Sequence, residues 1–168
     1  WSAYGAQWNS GEQKTLQCCA VIDETHDVKT FVFRCADFSA LSFEPGQFIT
    51  VSPIIAGQSV SRCYTISSSP TRPFALSITV KRVPGGTVSN WLHDHLNAGD
   101  TLLASGPAGS FTPVGRPAAK LLYLSAGSGV TPLMSMTRIS DSSTACTRPA
   151  APGAVRRELT VMAIPKQP

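Results

Sequence analysis

Charge is scarce in this 168-residue chain, where Asp, Glu, Lys and Arg together make up 14%. A disordered, solvating polypeptide needs far more charge, whereas the 42% of hydrophobic residues is enough to build a packed core. Long apolar runs are missing as well. Nothing approaches the roughly 20 apolar residues of a membrane-spanning helix, and the first residues lack a charged-then-apolar signal, so no membrane span is expected. The five cysteines (Cys18, Cys19, Cys35, Cys63 and Cys146) include no C-x-x-C pair. Their odd number argues against a disulfide framework, and their spacing against a zinc site or a plant-type iron–sulfur cluster. They read as reduced, mostly buried thiols of a soluble, cytoplasmic protein. His26, His93 and His95 share no metal-ligand spacing with a carboxylate cluster, which leaves them surface or packing roles. Aromatic and basic residues do not interleave, so no nucleic-acid partner is expected.

Acidic residues almost vanish late in the chain. Up to Val114 seven Lys/Arg face eight Asp/Glu; from Gly115 onward seven face two. That basic excess suits an anionic cofactor or an acidic partner protein, and equally an ordinary solvated face.

What is present is turn chemistry, with thirteen Gly and thirteen Pro punctuating short apolar stretches. Residues 1–12 are polar and without period, and read as a loose leader. Strands are predicted over 16–22, 28–35, 47–52, 61–67, 76–83 and 101–104, a spacing that suggests an antiparallel barrel or sandwich. One helix interrupts them, with Val88, Trp91, Leu92, His95 and Leu96 at i, i+3, i+4, i+7 and i+8. After a linker at 113–119, Leu121–Leu124 reads as a parallel strand buried on both faces, leading into a glycine loop and a helix over 133–138. A second parallel strand is predicted over 158–164. The division is therefore a leader (1–12), a barrel (13–114) and an incomplete α/β segment (115–168).

Three constellations carry chemistry. Arg62-Cys63-Tyr64-Thr65 lies on a strand, where Arg62 and Tyr64 share one face; a flat aromatic and a fixed cation suit a planar heterocycle with a phosphate tail. Alone, such a pair is more often two solvated side chains. Gly85-Gly86-Thr87-Val88-Ser89-Asn90 opens the helix, and free amides at a helix N-terminus attract anions, although an ordinary capped turn looks the same. Gly127-Ser128-Gly129-Val130-Thr131-Pro132 joins a buried strand to a helix, the position where α/β folds bind dinucleotides. It is not the usual fingerprint, because Pro132 stands where a third Gly is expected.

Taken in order, these motifs resemble the ferredoxin–NADP reductase-like superfamily with its FR-type FAD-binding domain. The likeness is greatest to bacterial NADH oxidoreductases serving oxygenases, flavohaemoglobins or the hybrid-cluster protein. Arg62–Thr65 resembles the family's R-x-Y-[ST] motif, Pro45–Phe48 its P-G-Q-[FY] strand, Gly86–Ser89 its G-x-x-S turn and Gly127–Pro132 its G-x-G-x-T-P loop. The resemblance runs from about Leu16 to Met136.

It implies a six-stranded antiparallel FAD-binding β barrel followed by a truncated, Rossmann-like nucleotide-binding segment. It implies further that Tyr64 stacks on the flavin, Arg62 neutralises the pyrophosphate, and the Thr65 hydroxyl approaches N5. Gly86, Val88 and Ser89 would hold the pyrophosphate, with Cys63, Val80 and Arg82 as neighbours. Gly127, Ser128, Gly129, Val130 and Thr131 would receive NADH or NADPH, Thr131 beside the nicotinamide. Thr65 and Thr131 are thus the catalytic candidates. The implied activity is an oxidoreductase passing electrons from NAD(P)H through FAD to an electron-acceptor protein or iron–sulfur domain. The second segment has room for only two parallel strands and lacks the family's later Cys-Gly-Pro-type loop. A flavin-binding module or electron-transfer subunit without independent activity is therefore the alternative, and a plain β-barrel interaction domain a third reading.

Overall fold

The computed structural model describes residues 7–115, 120–144 and 158–164. Its main sheet has six strands: β1 (Gln13–Thr25), β2 (Val28–Cys35), β3 (Phe48–Val51), β4 (Arg62–Thr65), β5 (Leu76–Lys81) and β6 (Thr101–Ala108). All pairings are antiparallel and the order across the sheet is β4-β3-β6-β1-β2-β5. β4 and β5 are therefore its two edges. As the sheet curls round, one antiparallel bridge between Ile66 and Ile78 brings those edges together. The expected six-stranded barrel is present in a partly closed form.

Alternation explains which side chains fill it. Phe31, Phe33 and Cys35 on β2, Ile49 and Val51 on β3, and Leu76, Ile78 and Val80 on β5 all point inward and are buried. Each large apolar side chain withdrawn from water contributes about 1.5–3 kcal/mol. β1 breaks its pairing with β2 twice, at Cys19 and again at Glu24 beside the hairpin turn, and the first break decides which side chains face the core. Cys18 pairs with Phe33 and Ala20 with Val32, so Cys19 bulges out of the ladder. Leu16 and Cys18 face the core before the bulge, Val21 packs on it afterwards, and Ile22 turns to solvent.

The leader expected over 1–12 is not loose where it is described. Gln7–Trp8 runs parallel to Ala40–Leu41, and Trp8 is 0% exposed, its indole N–H donating to the Glu12 carbonyl at 3.0 Å. A single buried aromatic carries no readable period, yet its area is enough to hold the segment down.

Helix α1 (Thr87–His95) connects β5 to β6. Its buried stripe is Val88, Ser89, Leu92 and His93, with Leu96 just beyond; His95 is exposed rather than on the inner face. His93 enters the core because its Nε2 meets the Val80 carbonyl at 2.9 Å and its ring stands edge-on to Phe31. Trp91 and His95 instead stack on each other, 5.8 Å apart.

The second segment comprises β7 (Lys120–Ala126), a single 3-10 turn at Gly127–Gly129, α2 (Val130–Thr144) and β8 (Glu158–Ile164). β7 and β8 pair in parallel. The expectation that β7 is buried on both faces is corrected: Leu122 and Leu124 are 61% and 60% exposed, because among the described residues no second helix layer covers that face of the β7–β8 pair. α2 packs inward through Thr131, Leu133, Ser135 and Met136. Gly46 shows how tightly it seats. With φ +92°, Gly46 is in the left-handed region, and a Cβ there would collide with the Phe111 carbonyl and lie 2.6 Å from Met136 Cε. Among the described residues no helix is long and apolar enough to cross a membrane.

Two measurements test this core. Burial pushes the Cys18 and Cys35 thiols up to about 11, whereas Cys19 and Cys63 are exposed. At pH 8, iodoacetamide is expected to label Cys19 and Cys63 in the native protein and to spare Cys18 and Cys35 until urea unfolds it, as read by peptide mass spectrometry. Trp8→Ala is expected to destabilise the barrel by about 3–5 kcal/mol in urea titrations followed by circular dichroism. A leader that contributes nothing to folding would leave the midpoint unchanged.

Candidate functional site

A single bridge cannot zip two edge strands along their whole length. On one side of Ile66–Ile78 neither β4 nor β5 has a second sheet partner, and the seam opens into a groove of about 490 Å³. Arg62, Cys63, Tyr64 and Thr65 line it from β4, and Thr79, Val80 and Lys81 from β5. Val83, Gly85, Gly86, Thr87, Val88 and Ser89 continue the wall into α1, and Thr131 reaches it from α2. Its size falls in the range of small-molecule sites.

β4 supplies an aromatic and a cation. Tyr64, opposite Ile49 in the ladder, is half-buried with its ring against the core, and burial pushes its phenol above the ordinary range despite the Arg62 charge nearby. Arg62 is exposed and donates to its neighbour's carbonyl, Ser61 O, at 2.8 Å; among the described residues no carboxylate pairs with it. Cys63 lies on the other face, 3.3 Å from Thr50 Oγ1. Thr65 ends the strand, half-buried. Residues of both faces reach the groove because it wraps the free edge of the strand.

The turn into α1 is built for close approach. Gly85 has φ +72°, a conformation that a side chain resists, and Gly86 caps the helix with no side-chain hydrogen bond to the first amides. A Cβ on Gly86 would lie 2.6 Å from Ser89 Oγ and 3.1 Å from the Val83 carbonyl. Ser89 Oγ accepts from the Val83 amide at 3.3 Å and donates to the Gly86 carbonyl at 3.4 Å, so the hydroxyl braces the turn. No acidic residue occupies the first turn to compete for its positive end.

Most residues singled out in the sequence meet here: Arg62, Cys63, Tyr64, Thr65, Val80, Gly86, Val88, Ser89 and Thr131 line one groove. Arg82 does not. It turns away to Asp94 on α1, with its two guanidinium nitrogens 3.2 and 2.5 Å from the carboxylate oxygens. That pairing holds the Arg82 pKa up and the Asp94 carboxyl below its usual range. Gly127, Gly129 and Val130 sit at the start of α2, beside Thr131 but outside the groove lining, and the side chain of Ser128 lies outside the described residues. Thr79 and Lys81 were absent from the sequence reading. The signal existed, since alternation with Leu76, Ile78 and Val80 turns both to the outer face of β5.

Residues 16–112 match the family model described as an oxidoreductase FAD-binding domain. The glycine betaine monooxygenase reductase subunit of Chromohalobacter salexigens is 52% identical over 131 residues, covering 78% of this chain and 35% of that protein. The stachydrine N-demethylase reductase subunit of Rhizobium meliloti is 43% identical over 130 residues, covering 77% and 36%. The chain thus spans about a third of the length of these relatives. Among solved structures, the FAD/NAD-binding domain of a nitric oxide dioxygenase from Vibrio cholerae superposes with a TM-score of 0.77 at 26% identity, over 95% of this chain and 64% of that one. Phthalate dioxygenase reductase superposes at 0.76 and 22% identity, over 92% and 44%, a likeness of fold. With the family model covering more than half of the chain and these reductase subunits beside it, the chain belongs to the oxidoreductase FAD-binding domain family of ferredoxin reductase-like proteins.

Proposed function

We propose that the seam groove holds FAD. On this reading the chain is the flavin-binding part of an NAD(P)H-dependent oxidoreductase whose acceptor is a protein or iron–sulfur domain of an oxygenase system. The observation that carries this is one groove shared by a guanidinium without a carboxylate partner among the described residues, a half-buried tyrosine and a glycine-led helix N-terminus. The donor set fits the cofactor, because a ring, a ribityl chain and a diphosphate need a flat apolar face, neutral polar walls and positive ends in that combination.

Bound there, FAD supplies the acceptance of two electrons from a reduced nicotinamide and their onward release, chemistry that no side chain offers. The protein's part is to bind and orient. Arg62 neutralises diphosphate charge with bidentate donors. The amides of Gly86 to Ser89 grip the same group, and Ser89 holds their turn rigid rather than acting as the chief donor. Tyr64 offers its face, and its raised pKa keeps the phenol neutral at physiological pH. Thr65 and Thr131 bring hydroxyls to the groove from β4 and α2. The glycines at 127 and 129, beside Thr131, let NADH or NADPH approach the backbone. A reducing cytoplasm suits four free cysteines among the described residues. A second reading, a flavin-binding module without turnover of its own, rests on Thr131 being, among the described residues, the one groove residue from the second segment.

Purified protein reconstituted with FAD is expected to be yellow and to bleach with NADH or NADPH under anaerobic conditions; flavin retention without bleaching favours the second reading. Arg62→Ala is expected to weaken FAD retention about ten- to a hundredfold by fluorescence titration, and wild-type retention would sink the assignment. Thr131→Ala is expected to slow reduction by nicotinamide in stopped-flow while FAD stays bound. Loss of FAD instead would mean that Thr131 belongs to the flavin grip.

A further inference from the structure

The stretch immediately after β4 is polar and buried: Ser67, Ser68 and Ser69 are all at least 93% withdrawn from solvent. Its inner side is satisfied by β5. The Ser67 amide and hydroxyl both donate to the Ser77 carbonyl, at 2.8 and 3.2 Å, and Ser68 Oγ accepts from the Ser77 amide at 3.0 Å. The Thr79 hydroxyl donates to Ser67 Oγ at 3.0 Å. The carbonyls of Ser67 and Ser68 are met from the other direction, by α2. Ser135 Oγ donates to Ser68 O and Arg138 Nη1 donates to Ser67 O, each at 2.7 Å.

Thr131, Ser135 and Arg138 stand at i, i+4 and i+7, and so lie on one face of α2. The same face that is bolted to the continuation of the flavin strand therefore carries Thr131 into the groove. Leu133 and Met136 add apolar packing beside it but fix no direction, since dispersion contacts tolerate sliding that hydrogen bonds do not. Releasing either bolt strands a buried carbonyl, which costs about 1–3 kcal/mol.

We propose that Ser135 and Arg138 are positioning residues, a two-bond latch that fixes the start of α2, and with it Thr131, against the segment following β4. The inference rests on the FAD reading for its functional meaning, and on the two bonds alone for its mechanics. Neither residue lines the groove. The latch thus sets the register between the flavin half and the nicotinamide half without touching either ligand.

The test uses the whole chain with Ser135→Ala, Arg138→Gln and the conservative Arg138→Lys. Amide hydrogen exchange over residues 130–138 is expected to speed up about tenfold or more in Ser135→Ala and Arg138→Gln, with the β1, β2 and β5 amides unchanged and Arg138→Lys near wild type. With FAD added, the visible circular dichroism of the bound flavin is expected to change in Arg138→Gln and to recover in Arg138→Lys, while FAD affinity stays within about twofold of wild type. Unchanged helix exchange in both disrupting variants overturns the latch, and so does equal acceleration of helix and barrel, which would make the bonds part of general stability. If the wild-type chain binds no FAD, the flavin reading fails by itself, and the exchange pattern still decides the latch.

Discussion

Everything in this site follows from where the sheet fails to close. Six strands curl until β4 and β5 approach, and among the described residues one ladder bridge, Ile66 to Ile78, with the Ser67–Ser77 hydrogen bonds beside it, completes the circle. Full closure would satisfy both edges and leave no room between them; no bridge would let the edges part and the groove lose its walls. One bridge gives a hinge line with a fixed opening. Both bridging side chains are wholly buried, so the closure is anchored in the core and the opening faces the surface. Each edge strand then presents backbone donors and acceptors without a sheet partner, together with side chains from both of its faces, to whatever lies in the seam.

Chain order turns that opening into a site for a long, mixed ligand. β5 leads within a few residues through Val83 and the two glycines into α1, so a helix N-terminus arrives at the same seam that Arg62 and Tyr64 already flank. Positive potential from a side chain and from a helix end are thus brought to one groove by a tight turn rather than by long-range folding. Arg82, although close in sequence, does not line the groove and is paired with Asp94 on α1. That ion pair is largely exposed and contributes little to stability, and its consequence is to leave Arg62 as the cation at the groove's β4 wall.

The barrel was legible because its strands alternate. The predicted strand over 28–35 coincides with β2, and the strand over 158–164 with β8, while β1 and β6 extend beyond their predicted ends. Four motifs in order pointed to the cofactor, and nine of their residues share one groove. What stayed hidden lacked a period or depended on a distant partner. Trp8 is one of three aromatics in the first twelve residues, and its contact with the core, not its spacing, reveals its role. His93 reads as a surface or packing residue, and the Val80 carbonyl beside it is what decides for packing. Thr79 reads as the polar half of an alternating strand, and its place at the seam appears only once β4 is known to be the other edge. Ser135 and Arg138 look like ordinary helix residues, because their partners are main-chain carbonyls that a sequence does not advertise.

The two halves of the molecule contribute unequally, and this separates affinity from turnover. Among the described residues that line the groove, the guanidinium, the tyrosine ring and the helix amides belong to the segment from Arg62 to Ser89, within a barrel with its own core. Among the described residues the second segment sends one hydroxyl-bearing residue, Thr131, to the groove, on a helix that meets a run of buried serines beside the apolar contacts of Leu133 and Met136. A buried serine run is a poor hydrophobic surface but a directional one, since each unsatisfied carbonyl admits a donor along a narrow range of approach. Had α2 been seated on leucines alone, Thr131 could slide along the groove at little cost. Seated on two carbonyls of consecutive residues, it is held both along the helix axis and about it. The polar character of Ser67 and Ser68, costly to bury in isolation, is what allows a flavin-gripping barrel and a separate α/β segment to share a fixed geometry.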